Sequence, residues 1–417
     1  MPGPDEPLVL GVDVGSHGVR CVCGSHSVDV AYAGPPPPAR RPAQQWTDAF
    51  VEALSRIPES DRQRVQAVGI TGVRGAFVVA DAELGPLMPT IPDFAPESVP
   101  LARELRTKYG RDLIGRTGCP AFPLSGLPKL MALPDTLGPS ARVLPPQDFV
   151  ASLLTGKARL SAGAALRLGC LDPRIGDIDR ELLAELGIAE TLFPPVVPIG
   201  ERLGDNRHPL LPLGIPVVSV AGDGPSARAA VAGKGDGLVS LGTTSVCLLP
   251  IAGDRLPDID LTVELDPMGG RLAEYGSGIG GVAIDWLARL TGVGPGRLEE
   301  ASRGVDYGPL VVEPTFVSAW GDAPGARLAN ILPDTTVPAI AAALFDAIGR
   351  DALASIGMLA AVAGMPPRIY LTGGCARSAR VVDLLRTNLA CDVIPRGDRE
   401  LAAAGAAGTA RHYALGR

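Results

Sequence analysis

Apolar residues cluster in short strand-length runs along much of the chain, and elsewhere recur at helical spacing. The stretch LVLGVDVGSHGVRCVC (8–23) is an apolar strand, a Gly-Ser turn and a second apolar strand. DGLVSLGTTSVCLL (236–249) has the same texture, with Gly-Thr-Thr in the turn. Both predict hairpins whose small, hydroxyl-bearing turns leave backbone N–H groups unblocked. Each lies near the start of about half the chain, which predicts two domains of related design. VQAVGITG (65–72) and GAFVVAD (75–81) read as two more strands around a Gly-rich bend. In PVVSVAGDGPSARAAVAG (216–233) a strand ends on Asp223, between Gly222 and Gly224, and a small-residue helix begins.

The helical pattern is plain in VLPPQDFVASLLTG (143–156), with prolines before it and a Gly stop, and in DRELLAELGI (179–188). It returns in GVAIDWLARL (281–290) and from about 337 to 364. RIYLTGGCARSARVVDLLRTNL (368–389) predicts strand, Gly-Gly turn and helix. LAAAGAAGTARHYA (401–414) predicts a helix of small residues able to pack closely on a sheet. Pro-rich loops (PPVVPIG, 194–200) precede the strand at 216, and Pro35–Pro38 form a short stiff spacer. GKGDG (233–237), short and polar, is the linker candidate, dividing the chain into domains 1–232 and 236–417. Strands and helices mixed throughout predict α/β layers.

Composition narrows the class. The 417 residues suit two domains, and 46% apolar with 20% charged residues supply full cores. A net charge of −7 with scattered Lys and Arg argues against nucleic acid as a partner. The seven Cys are odd in number and irregularly spaced. Together with only four His they predict reduced, mostly buried thiols, no structural zinc and a cytoplasmic protein. The N-terminal MPGPDEPLVLGVDV lacks the pattern of a signal peptide. The longest uncharged stretch, from 352, is shorter than the roughly 18 residues a membrane span needs, so no membrane partner is expected.

Several short stretches carry candidate chemistry. In Asp13-Val-Gly15-Ser16-His17-Gly18-Val-Arg20, the glycines permit a tight turn whose N–H groups and Ser16 hydroxyl suit phosphate oxygens. Asp13, at the strand end, is placed to hold a hydrated Mg²⁺. An ordinary hairpin turn with a capping Ser is the alternative. Gly242-Thr243-Thr244 offers the same donors from the other half, and two such turns suit a nucleotide triphosphate. Neither is a Walker loop, since no Gly-Lys-Ser/Thr follows. Gly373-Gly374-Cys375-Ala376 leaves room for a flat ring or ribose against the backbone. Gly276-Ser-Gly278-Ile-Gly280-Gly281 fits G-x-G-x-x-G, but the sequence after it is helix and loop rather than a strand ending in an acid. Arg74 and Asp93 lie near strand ends, either as polyol contacts or as loop charges. Asp223 is either a helix cap or a catalyst.

In order and spacing these motifs resemble the FGGY carbohydrate kinases, the sugar and polyol kinases of the actin, Hsp70 and hexokinase superfamily. The resemblance runs through Asp13–Arg20, GITGVRGAFVVAD (69–81) and LPPQDFVASLLTGKARLSAGAALRLGCLDP (144–173). It continues through IDRELLAELGI, GSGIGGVAIDWL (276–287), YLTGGCARSARVVDLL (370–385) and LAAAGAA (401–407). It implies an α/β fold of two ribonuclease-H-like, actin-like ATPase domains with a central cleft. It also implies ATP and Mg²⁺ as cofactors and a small polyhydroxy substrate. The strand-end Asp223 matches the family's catalytic base, which takes the proton of the acceptor hydroxyl. Asp13 is then the metal-side carboxylate. The turns at Gly15, Ser16, His17 and at Gly242, Thr243, Thr244 bind phosphates, Gly373, Gly374 and Ala376 the adenosine, and Arg74 and Asp93 the acceptor. A homodimer stays open.

The chain also departs from the family. Where members carry Gln before the Gly of the sugar strand, this chain has Val73 and Arg74 before Gly75. An Arg there is similar to glycerol kinases, whose adjacent Glu is Gly75 here. The family's Trp-x-Asp-x-Arg is Ile91-Pro92-Asp93-Phe94-Ala95, without Trp or Arg. The chain is also short around 34–65 and in its second half. An altered acceptor pocket is expected, and a nucleotide-binding protein without turnover is the rival reading.

Overall fold

The computed structural model describes residues 7–416 except 35–38, 135, 254–255, 257–258, 319, 321–324 and 399. The Pro35–Pro38 spacer lies outside the described residues. Two compact units emerge, and they are not consecutive segments. The first takes the chain up to 231, then 253–271, then everything from 400 on; the second takes 232–252 and 272–399.

The first unit is built on β1 (Leu8–Val14), β2 (Gly18–Cys23), β3 (His26–Ala31) and β4 (Val65–Gly72). Its sheet runs Arg202–Asp205, Pro216–Val218, β4, β1, β2, β3. β1 and β2 are antiparallel with Val14 opposite Val19, so four residues, 15–18, lie between the last pair, and 15–17 fall outside both strands. β4 lies parallel to β1, and Pro216–Val218 parallel to β4. All seven β1 residues are buried, as a run apolar but for Asp13 predicts for a strand covered on both faces. One cover is the small-residue helix Leu401–Leu415. A Cβ on Gly11 would lie 2.0 Å from the Ala403 carbonyl oxygen, and one on Gly69 2.2 Å from that of Ala406. Gly405 approaches the Ser226 carbonyl as closely, seating this helix on Asp223–Val231. The expected close packing of 401–414 is therefore literal backbone contact.

The second unit repeats the plan. Gly237–Leu241 and Ser245–Ile251 form an antiparallel hairpin with Leu241 opposite Ser245, here with three residues between the last pair. Arg368–Thr372 lies parallel to Gly237–Leu241, and Asp392–Pro395 parallel to Arg368–Thr372. Read from Arg271–Ser277, the strands run third, second, first, fourth, fifth, the order of β3, β2, β1, β4 and Pro216–Val218. The repeat expected from two short hairpins thus extends over five strands.

Helix boundaries follow local chemistry. Pro146–Thr155 ends on Gly156 at φ 67°, and Val337–Ala363 starts on a Thr336 cap. The helix expected at 179–188 is shorter, Arg180–Glu185, with Asp179 capping Leu182 N–H and Gly187 at φ 68° beyond it. Within 75–81 only Val78–Ala80 is strand. GKGDG is a pinned turn: buried Asp236 accepts from the Gly233 N–H at 2.8 Å and from Arg368 at 3.0 Å. All seven cysteines are free thiols, and six are buried. Among the described residues no helix is long and apolar enough to cross a membrane.

Candidate active site

β1 ends by delivering Asp13 to the rim of the first turn. The turn closes through Gly15 N–H to the Gly18 carbonyl at 2.9 Å, and the Tyr32 hydroxyl donates to the Gly15 carbonyl at 3.1 Å. Gly18 is required, because a Cβ there would sit 2.4 Å from the Val30 carbonyl oxygen. Ser16 and His17 face outward, with Ser16 Oγ 3.1 Å from His17 Nδ1.

Asp13 itself is buried, with Oδ2 3.5 Å from the Arg20 guanidinium and Oδ1 lacking a hydrogen-bond partner. Burial pushes its carboxyl up to about 7, the negative charge of Asp223 adds to the rise, and Arg20 opposes it. A buried carboxylate with an orphaned oxygen and a nearby like charge is short of positive charge. A cation therefore fits, and Mg²⁺ needs no more than one or two protein carboxylates because it keeps several waters.

Asp223 opens the helix Asp223–Val231, and its Oδ1 accepts from the Gly224 N–H at 2.8 Å. The same oxygen accepts from Arg74 Nε at 2.6 Å. Arg74 reaches it by lying across Gly222, where a Cβ would meet its Cδ at 2.3 Å. The position of Asp223 is fixed from β4, since Thr71 Oγ1 donates to the Ala221 carbonyl at 2.8 Å. Arg74 is far from the loop charge that position alone allowed. It is largely buried, and its Nη1 also donates to Glu264 Oε1 at 2.5 Å. Glu264, on the strand Thr262–Leu265, is fully buried and lies 3.6 Å from Arg167, whose guanidinium stacks over Phe122. One arginine thus bridges a partly exposed acid and a buried acid.

Asp93 belongs to an adjoining cluster around Lys129. The buried Lys129 ammonium donates to the Asp93 carbonyl at 2.6 Å and to those of Pro92 and Leu124, both at 3.3 Å. Burial pulls Lys129 down to about 7, with the Asp93 charge opposing. Three carbonyl acceptors, one for each ammonium proton, work against the same pull. Lys129 ties together the loop that has neither Trp nor Arg beside Asp93.

In the second unit, the 242–244 turn is clamped from behind. Gly281 N–H donates to the Gly242 carbonyl at 2.7 Å and Val282 N–H to that of Thr243 at 3.0 Å. These are the first amides of the helix Gly281–Thr291. Cβ atoms on Gly280 and Gly281 would stand 2.8 and 2.9 Å from the same two carbonyl oxygens. The G-x-G-x-x-G match therefore has a packing explanation: its glycines let a helix end press against the turn. Gly373, at φ 87°, abuts the turn from another side, with a Cβ 2.5 Å from the Leu241 carbonyl carbon. Gly374 and Ala376 belong to the short 3₁₀ turn Gly374–Arg377 that follows.

The structure gathers Asp13, Gly15, Ser16, His17, Arg74 and Asp223 in the first unit, and Gly242, Thr243, Thr244, Gly373, Gly374 and Ala376 in the second. Sequence reasoning passed over Glu264, Arg167, Lys129 and Tyr32. The available signal was a lone charge in an apolar run: Glu264 in LTVEL and Lys129 in GLPKLM.

Comparisons with known proteins agree with this architecture. The family model described as the FGGY family of carbohydrate kinases, N-terminal domain, matches residues 8–230. A xylulose kinase of Streptomyces coelicolor is 28% identical over 262 residues, 58% of this chain and 54% of that protein. A glycerol kinase of Alkalilimnicola ehrlichii is 30% identical over 257 residues, 56% of this chain and 50% of that protein. The chain thus spans about half the length of the curated relatives it matches. The structure of a xylulose kinase from Lactobacillus acidophilus superposes with a TM-score of 0.87 at 17% identity, covering 98% of this chain and 89% of that one. The fold is the α/β arrangement of two ribonuclease-H-like, actin-like domains expected from the sequence.

Proposed function

Because this chain belongs to the FGGY family of carbohydrate kinases, we propose that it transfers the γ-phosphoryl group of ATP to a hydroxyl of a small sugar, polyol or cyclitol. In this reading Asp223 takes the hydroxyl proton as the acceptor oxygen bonds to phosphorus and ADP leaves. The turns at 15–17 and 242–244 hold phosphate oxygens through backbone N–H groups and hydroxyls, and Gly373, Gly374 and Ala376 make room for the adenosine. Mg²⁺ on Asp13 would neutralise phosphate charge. Arg74 orients Asp223, and the loop of Asp93, tied down by Lys129, contacts the acceptor.

The observation that carries the proposal is the pairing of two unlike acids. Asp13 is buried with an orphaned oxygen, while the Asp223 side chain is 37% exposed and held at one oxygen. One is suited to a cation and the other to a substrate proton.

A second reading has its own observation. The Arg74–Asp223 contact at 2.6 Å already occupies the proposed base, which favours a nucleotide-binding protein without turnover. An ATP-consumption screen over sugars, ketoses, polyols and cyclitols separates the two. Turnover with at least one acceptor, lowered about 10²–10⁴-fold in Asp223→Asn with ATP binding retained, is the expected result. ATP binding with no turnover across the panel would select the second reading. Near-normal turnover in Asp223→Asn would remove the base assignment.

A further inference from the structure

Behind the 242–244 turn lies a half-buried polar knot that the proposed chemistry does not use. Ser245, the first residue after the turn, is buried, and its Oγ lies 2.7 Å from the Ile279 carbonyl oxygen and 3.1 Å from Asp351 Oδ2. Ser277 Oγ lies 2.9 Å from Asp351 Oδ1 and accepts from the Ile279 N–H at 3.1 Å. Asp351 comes from the long helix Val337–Ala363.

Counting protons constrains this knot. A carbonyl oxygen only accepts, so the single Ser245 hydroxyl proton goes to Ile279 at the shorter distance. The Ser245 oxygen then turns a lone pair toward Asp351 Oδ2. Ser277 accepts from Ile279 N–H and donates to Oδ1. Every contact has one donor only when a proton sits on Oδ2. We infer that Asp351 is a positioning residue that acts as a neutral carboxylic acid, donating to Ser245 and accepting from Ser277, and so fixes the 242–244 turn against segment 277–281.

Burial pushes the Asp351 carboxyl up, in keeping with this, and the Ser277 and Ser245 contacts oppose the rise. Tyr275 also feels its charge. A neutral acid suits the place, because a fixed negative charge behind a phosphate turn would oppose the ligand. Together with the clamp from Gly281 and Val282, the knot holds the turn at two of its carbonyls and at its exit.

The inference rests on reading 242–244 as a phosphate turn, and the test separates the two. Mg·ATP is titrated calorimetrically into the full chain and its variants, with thermal melts as a check on folding. Asn reproduces one donor and one acceptor, so Asp351→Asn binds within about twofold of the unaltered protein, whereas Asp351→Leu binds about tenfold more weakly. Ser277→Ala, which leaves the long helix untouched, weakens binding about threefold. Equal losses in Asp351→Asn and Asp351→Leu would overturn the neutral-acid assignment. Unchanged binding in Ser277→Ala or in a folded Asp351→Leu would overturn the positioning role. If Thr244→Val leaves binding unchanged while Asp351→Leu weakens it, the phosphate-turn reading fails and the knot acts on the ligand by another route, which also overturns the inference.

Discussion

The two hairpin turns hold matching places in their sheets but are supported in different ways. The first, 15–17, is backed by a buried acid with an orphaned oxygen and by one tyrosine hydroxyl. The second, 242–244, is gripped by a helix end, a left-handed glycine and a neutral polar knot. In the proposed reading, one scaffold offers a place for a cation and the other a rigid cradle for backbone donors. The difference teaches that a duplicated hairpin fixes where donors point, while the residues behind it decide which charge it welcomes.

Asp13→Asn strikes this contrast hardest. It should lower turnover about 10²-fold or more and move the Mg²⁺ requirement upward, read from rate against metal concentration. It also has a stability signature without metal. The folded carboxyl titrates near 7 against an ordinary 3.8, so its stabilising contribution is complete below about 4 and is lost as pH rises through 7. Above pH 7 the neutral amide should therefore be the more stable, by up to about 4 kcal/mol. Melts at pH 5 and pH 8 check this, and a pH-independent gap between the two proteins would sink it.

Gly373→Ala tests the second turn. Its φ of 87° and the 2.5 Å approach to Leu241 leave no place for a Cβ. Weakening of Mg·ATP binding by about tenfold, with the acceptor KM unchanged, is expected. An equal rise in both constants would mean a general loss of folding instead. The smallest effect belongs to Tyr32→Phe, which removes only the hydrogen bond to the Gly15 carbonyl. It should cost about 1 kcal/mol or less in a denaturant melt and change ATP binding less than threefold.

Much of this was legible along the chain. Largely apolar runs gave β1 and β4 as strands, and Pro and Gly marked the helix ends at 146–156. Asp223, Asp13 and both turns stood out because their signals are local: an acid at a strand end and small residues in a tight turn. The supporting shell was not legible. Arg74 meets Glu264 across 190 positions, and Ser245 meets Asp351 across 106. No local pattern encodes such partners, because they are set by which strands and helices end up adjacent. For the same reason Arg74, read as an acceptor contact or a loop charge, emerged as a bridge between two acids.

The helix Leu401–Leu415 packs its small residues against β1, β4 and the helix that begins with Asp223. On the ribosome, those strands emerge well before that helix, which follows the whole second unit. The first unit therefore completes its core through contacts of the longest sequence separation in the chain, which close slowly. The element bearing the proposed base stays without its seat until the second unit has been made, so a chain stalled before residue 401 would carry the first hairpin but an unfixed base.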